Sequence, residues 1–130
     1  MASTPEGYDP FPEVVRRARE IAEGTGASIE LVRDPQRAVE SADVLYTDTW
    51  TSMGQEAEAE VRRQVFPAHQ VNRALLERAL PGAGVMHCLP AHRGKEITDE
   101  VADGPNSWLF DQAENRLHAQ KAVLVDLLER

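Results

Sequence analysis

A single cysteine, Cys88, in 130 residues excludes an internal disulfide, and with it a small secreted scaffold held by bridges. No stretch approaches the roughly 20 consecutive apolar residues that a membrane-spanning helix needs. Met1 to Glu6 has neither a basic start followed by an apolar run nor a small-residue cleavage pattern. Together these absences point to a reducing, cytoplasmic setting with no membrane partner. Basic residues are also outnumbered: 14 Lys and Arg stand against 22 Asp and Glu, for a formal charge of -8. Phosphate-backbone attraction would work against that field, so nucleic acid is not an expected partner. The basic groups Arg16, Arg17, Arg19 and Arg62, Arg63 lie among glutamates at helical spacing and read as solvated faces. Neither an internal repeat nor a low-complexity tract is visible.

What is present is an ordinary globular composition, 42% hydrophobic and 28% charged with 8 Gly and 8 Pro. A domain of this length buries roughly two thirds of the surface its unfolded chain exposes, enough for a core. From Pro12, the residues Val14, Val15, Ala18, Ile21 and Ala22 recur at three and four positions and predict an amphipathic helix, stopped by Gly24 and Gly26. Ala27 to Val32 alternates as a strand does, and Asp34-Pro35 opens a short helix through Glu40. Asp43 to Thr47 and Gly84 to Leu89 are compact apolar runs that read as buried parallel strands. Helical patterns occupy Gln55 to Phe66 and Asn72 to Leu80, with Asn72 placed to cap. Asp111 followed by Glu114 has the form of a capping box opening a last helix through Arg130. Its residues Ala122, Val123, Leu124, Val125, Leu127 and Leu128 are apolar in nearly every direction and call for a covering surface. Helices alternating with short apolar strands define an α/β domain with a parallel sheet, whose ligands bind beyond the carboxyl ends of the strands. The loops Asp48 to Gly54 and Pro90 to Glu96 occupy those ends.

Three segments there carry chemistry. Asp48 follows the Asp43 to Thr47 strand, ahead of Thr49-Trp50-Thr51-Ser52-Met53-Gly54, where a carboxylate suits a cationic amine; the plainer alternative has Asp48 ending a strand, Ser52 capping with Gln55 and Met53 filling the core. His87 and Cys88 are adjacent on a strand and point to opposite faces, so they do not form an obvious nucleophile and base. His92 or His118 could approach Cys88, while the plainer alternative makes Cys88 a small buried hydrophobe and His87 a hydrogen-bonded core residue. Zinc held by His87, Cys88, His92 and His118 is conceivable from the ligand types, but the spacing matches no structural zinc pattern, and no metal is expected. Arg116, early in the last helix, offers a fork of donors for carboxylate, carbonyl or phosphate oxygens. The Gly24-Thr25-Gly26 pair follows a helix rather than a strand and is no dinucleotide fingerprint. Ser52 lacks the preceding glycine of a nucleophile elbow.

At these positions the sequence resembles the ornithine carbamoyltransferase family. The motifs are Asp48-Thr49-Trp50-Thr51-Ser52-Met53-Gly54, His87-Cys88-Leu89-Pro90, His92-Arg93-Gly94 and Ala113 to Lys121, and the resemblance runs from Thr4-Pro5-Glu6-Gly7-Tyr8 to the last helix. It implies a Rossmann-like three-layer α/β domain and transfer of a carbamoyl group from carbamoyl phosphate to the side-chain amine of ornithine, with no cofactor. It implies Asp48, Ser52 and Met53 as ornithine contacts, Cys88, Leu89 and Arg116 as contacts of the carbamoyl group, and His87 as a neighbour of the site. Asp48, Cys88 and Arg116 would be the catalytic residues. The Ser-Met-Gly loop disfavours relatives acting on aspartate, putrescine or acetylated ornithine.

The sequence also departs from that family. Its phosphate-binding Ser-Thr-Arg-Thr and His-Pro-Thr-Gln motifs occur nowhere here. The first strand and helix of the ornithine domain, with its ornithine-binding asparagine, are expected to be missing. Residues 1–110 then form a partial ornithine-binding domain, and 111–130 a helix that in the family packs on the carbamoyl-phosphate domain. The expectation is a chain inactive alone, which either joins such a domain or self-associates through its last helix. The alternative is a noncatalytic amino-acid-binding or interaction module.

Overall fold

The structure is a computed structural model and describes residues 1–129. Its elements run β1 (Ala2–Ser3), α1 (Pro12–Thr25), β2 (Leu31–Val32), α2 (Pro35–Val39), β3 (Val44–Thr47), α3 (Ala59–Val65), α4 (Arg73–Leu76), β4 (Gly84–His87), α5 (Asp99–Ala102) and α6 (Leu109–Leu128). Short 3-10 turns at Glu56–Glu58 and Pro67–His69 flank α3. The architecture is α/β with parallel strand pairs, as the alternation of patterns predicts.

Local chemistry explains most boundaries. Pro12 opens α1, and Gly26, at φ 75°, ends it in the left-handed conformation that glycine adopts without strain. Asp34 accepts from the Gln36 amide at 2.9 Å and Pro35 takes the first turn of α2. Asn72 accepts from the Leu75 amide at 3.0 Å to start α4. That helix stops at Leu76 rather than running to Leu80, because the Leu80 amide turns to donate to Ala42.

Two further expectations need correction. The extended run from Ala27 pairs only at Leu31–Val32, against β1, which two residues could not announce in the sequence. The Asp111–Glu114 capping box does not form. α6 begins earlier, at Leu109, because the Trp108 amide donates to Val85 at 2.8 Å and carries the chain from β4's edge directly into the helix. Asp111 therefore sits inside the first turn, where its charge complements the helix dipole. Arg130, the expected last helical residue, lies outside the described residues.

β3 and β4 pair in parallel over four residues, from Val44↔Gly84 to Thr47↔His87. Ser107 bridges the far edge of β4 at Val85. The pairs β1–β2 and β3–β4 are separate sheets, and β1 and β3 line a cavity of about 390 Å³. The core gathers Val39, Leu45, Val71, Leu75, Val85, Ile97, Val101 and Leu109. Val85 and Ile97 are fully buried, each contributing about 1.5 to 3 kcal/mol of transfer free energy. By contrast, Val14 and Ile21 of α1's apolar stripe remain exposed, since the two-residue strands offer little surface to cover them.

Candidate functional site

The parallel register places Thr47 beside His87, so the next residues, Asp48 and Cys88, leave the carboxyl ends of neighbouring strands side by side. The Cys88 thiol donates to Asp48 Oδ1 at 2.9 Å, and the Thr49 amide donates to the same oxygen at 2.7 Å. Burial pushes the Cys88 thiol pKa up, and the hydrogen bond and charge of Asp48 push it further. Cys88 is therefore a neutral donor rather than a thiolate.

His87 points to the other face and is fully buried. Its Nδ1 accepts from the Leu89 amide at 2.8 Å, which by this geometry assigns the ring proton to Nε2. Nε2 faces Glu96 Oε1 at 3.3 Å. Leu89 is held at φ 54°, a left-handed conformation costly for a branched side chain and found where surrounding structure enforces it. Here the enforcing contact is the His87 imidazole. Glu96, also fully buried, accepts the His92 amide through the same Oε1. His92 Nδ1 in turn lies 3.1 Å from the Thr49 hydroxyl, joining the loop after β4 to the loop after β3.

The loop after β3 is anchored at Trp50, whose ring is buried and whose carbonyl accepts from Arg62 Nη1 at 2.9 Å. Beyond it the chain opens to solvent. Met53 is 97% exposed, which overturns the core-filling alternative. Ser52 forms only half of a capping box: its amide donates to Gln55 Oε1 at 3.2 Å, and no side-chain cap precedes the Glu56–Glu58 turn. Asp48, Ser52, Met53, Leu89, His92 and Lys95 line a cavity of about 640 Å³. It offers a carboxylate, a hydroxyl and an ammonium within one concave surface, the donor and acceptor types that hold a small polar amine.

Five of the expected residues, Asp48, Ser52, Met53, Cys88 and Leu89, thus meet at one end of the β3–β4 pair, with His87 directly beneath. Arg116 is not brought into contact with them. It is exposed on α6, one turn beyond Gln112, whose side chain donates to the Tyr46 hydroxyl at 3.1 Å. Nor does His118 approach Cys88; its Nε2 faces Glu114 at 3.7 Å. Ligand atoms of Asp48, His87 and Cys88 lie within 4.8 Å of one another, yet both ring nitrogens of His87 already face Leu89 N–H and Glu96. The sequence reading gave no role to Thr49, Trp50 or Glu96 and took Arg62 for part of a solvated face, whereas its side chain is mostly buried against the loop. Glu96 ends the loop Pro90 to Glu96, between Lys95 and Ile97, and nothing in its spacing signals burial.

A parallel α/β domain with its polar groups at paired strand ends belongs to a known class. Residues 1–127 match the family model described as the Asp/Orn binding domain of aspartate/ornithine carbamoyltransferase, and the chain belongs to that family. Within it, the chain is similar to ornithine carbamoyltransferase from Thermococcus kodakarensis, 60% identical over 95% of this chain and 39% of the relative. Among solved structures it resembles ornithine carbamoyltransferase from Pyrococcus furiosus, with TM-score 0.88 and 60% identity over 94% of this chain and 39% of that one. The anabolic ornithine carbamoyltransferase from Campylobacter jejuni superposes with TM-score 0.92 at 35% identity, over 98% of this chain and 42% of that one. The chain therefore spans about 40% of the length of the curated relatives it matches. No described helix is long and apolar enough to cross a membrane.

Proposed function

We propose that this chain provides the ornithine-binding part of an ornithine carbamoyltransferase, which transfers the carbamoyl group of carbamoyl phosphate to the ornithine δ-amine, giving citrulline and phosphate. The observation that carries the reading is the Asp48–Cys88 pair at the adjoining ends of β3 and β4, opening on a cavity rimmed by Ser52 and Met53. Asp48 attracts the ammonium and orients it, with Ser52 and Met53 as further ornithine contacts. The amine must lose a proton before it attacks, since the protonated form has no lone pair. Attack on the carbonyl carbon forms a tetrahedral intermediate, the bond to phosphate breaks, and the amine's proton leaves. Cys88 and Leu89 orient the carbamoyl group, with the Leu89 backbone set by His87. Arg116 stabilises charge developing on the carbonyl oxygen, an effect of about 3 to 4 kcal/mol for one well-placed donor. No cofactor and no covalent enzyme intermediate take part, and the setting is cytoplasmic.

One partner follows from this reading. The donor phosphate needs a carbamoyl-phosphate domain, because the family's motifs for it are absent from this sequence. Residues 111–130 are the element that docks on it. In α6, Val123, Leu124, Val125, Leu127 and Leu128 are each more than half exposed, a face that favours a covering surface in the working protein. The same face supports a second reading, a noncatalytic module that self-associates through α6. A fragment of a transcarbamylase for another amine differs only in the occupant of the Ser52–Met53 rim.

The deciding experiment is citrulline formation from ornithine and carbamoyl phosphate, measured with the chain alone and with a separately expressed carbamoyl-phosphate domain. Activity only on mixing is the expected result. Silence in both, with a dimer by light scattering, favours the interaction module.

A further inference from the structure

We propose that Arg62 is the positioning residue that sets the ornithine-side loop, a role that rests on the reading above. Adjacent arginines on α3 behave differently. Arg63 makes an ordinary helix-surface pair with Glu60 and stays 63% exposed, as solvated helix pairs do. Arg62 is only 15% exposed, and a guanidinium withdrawn from water needs partners on every side. It has three. Nη1 donates to the Trp50 carbonyl at 2.9 Å, Nη2 and Nε reach Glu58 Oε2 at 2.9 and 3.0 Å, and the guanidinium carbon lies 5.0 Å from the centroid of the Tyr8 ring.

The consequence falls on the loop. Trp50 is fixed twice: its ring packs 5.9 Å from Phe66, which also edges Tyr8 at 4.8 Å, and its carbonyl is held by Arg62. Ser52 and Met53 follow within three residues, and Met53 projects into solvent with nothing of its own to hold it. Their placement is set by Trp50 on one side and by the Ser52–Gln55 bonds on the other. A charge-assisted bond to a backbone carbonyl is the stronger kind of hydrogen bond, so Arg62 fixes where the substrate-facing half of the loop departs from the fold. It touches no reacting atom, and its loss acts on ornithine binding ahead of the chemical step.

The test compares R62M and R62K in the full 130-residue chain by NMR. The 15N shift of the Thr51 amide reads the hydrogen bond on the Trp50 carbonyl, in the same peptide group. Loss of that bond in R62M should move this shift and speed exchange of the Ser52, Gly54 and Gln55 amides about tenfold. The Val85 and Trp108 amides of the strand pair should stay unchanged, and R62K should restore part of the Thr51 shift. An unmoved Thr51 shift, or equal loosening of the loop and the strand pair, overturns the proposal. With the carbamoyl-phosphate domain added, R62M should raise the ornithine KM about tenfold with kcat within about threefold. A kcat loss at unchanged KM also overturns it. Should the unsubstituted chain produce no citrulline in the mixture, the functional reading fails, and the Thr51 and exchange data decide the anchoring role by themselves.

Discussion

Cys88 donates its thiol hydrogen to Asp48, 2.9 Å away, across the join of two strands that lie 40 positions apart in the chain. The contact favours the thiol over the thiolate, since a deprotonated sulfur would face a carboxylate. Burial is the larger cause of the raised thiol pKa, with Asp48 adding to it. In D48N the thiol pKa should therefore fall while staying above its ordinary value. Iodoacetamide labelling of Cys88 at pH 8 should be faster in D48N than in the unsubstituted chain. An unchanged rate would show that Asp48 does not govern the thiol.

Glu96 should be the most costly polar residue to remove. Its carboxylate is fully buried, takes the His92 amide and faces His87. In E96A the His92 amide loses its acceptor and buried His87 loses the carboxylate that faces it, which should lower unfolding free energy by about 3 kcal/mol. E96Q keeps an oxygen in place and should cost about 1 kcal/mol. Urea denaturation followed by far-UV circular dichroism separates the two, and equal losses would count against the hydrogen-bonding account.

His69 gives the domain an acid-sensitive point. Burial lowers its pKa; the Arg33 backbone opposes this, the Arg33 charge adds to it, and Asp34 opposes it. The unfolded chain therefore binds a proton more readily than the folded one, and stability rises with pH across this interval. The contribution is complete above the ordinary histidine pKa of about 6.5 and is lost as pH falls through the lower, folded value. Thermal melts from pH 7.5 to 5 should show a shallower loss in H69F than in the unsubstituted chain.

Gly84 is required by a neighbour rather than by its own backbone. A Cβ at this position would overlap the Trp108 indole. G84A should destabilise by about 1 to 3 kcal/mol through overpacking, and G84A combined with W108L should recover much of that loss. Failure of the double variant to recover would place the cost elsewhere.

Much of the scaffold was legible because it is specified locally. Val44 to Thr47 and Gly84 to His87 are compact apolar runs with an aspartate and a proline close after them, and Asp34 and Asn72 are caps whose partners lie two and three residues away. Where specification is not local, the residues carried no sign. The capping box at Asp111 lost to a bond between Trp108 and Val85, residues 23 apart in sequence. Strand β1 is two residues long and exists only through its pairing with β2. Beside the plainer reading of Cys88 as a small buried hydrophobe, His92 and His118 were its conceivable companions, whereas the structure supplies Asp48, because strand register is set by pairing and not by spacing along either strand. Glu96 was hidden for the same reason: its burial is created by loops folding over it.

The β3–β4 register works as a ruler with a constant offset of 40 between Val44 and Gly84 and between Thr47 and His87. Asp48 and Cys88 continue the same offset one step further. Because a strand's side chains alternate, a slip of one residue would set Asp48 against His87 or Leu89 and turn the thiol away. A residue gained or lost in a turn of the connection between Thr49 and Ala83 changes the offset but not which residues face each other; one gained or lost within either strand erases the alignment. The Asp48–Cys88 contact is thus set by the count at the strand ends, while the Ser52–Met53 rim and its Arg62 anchor depend on the path between them.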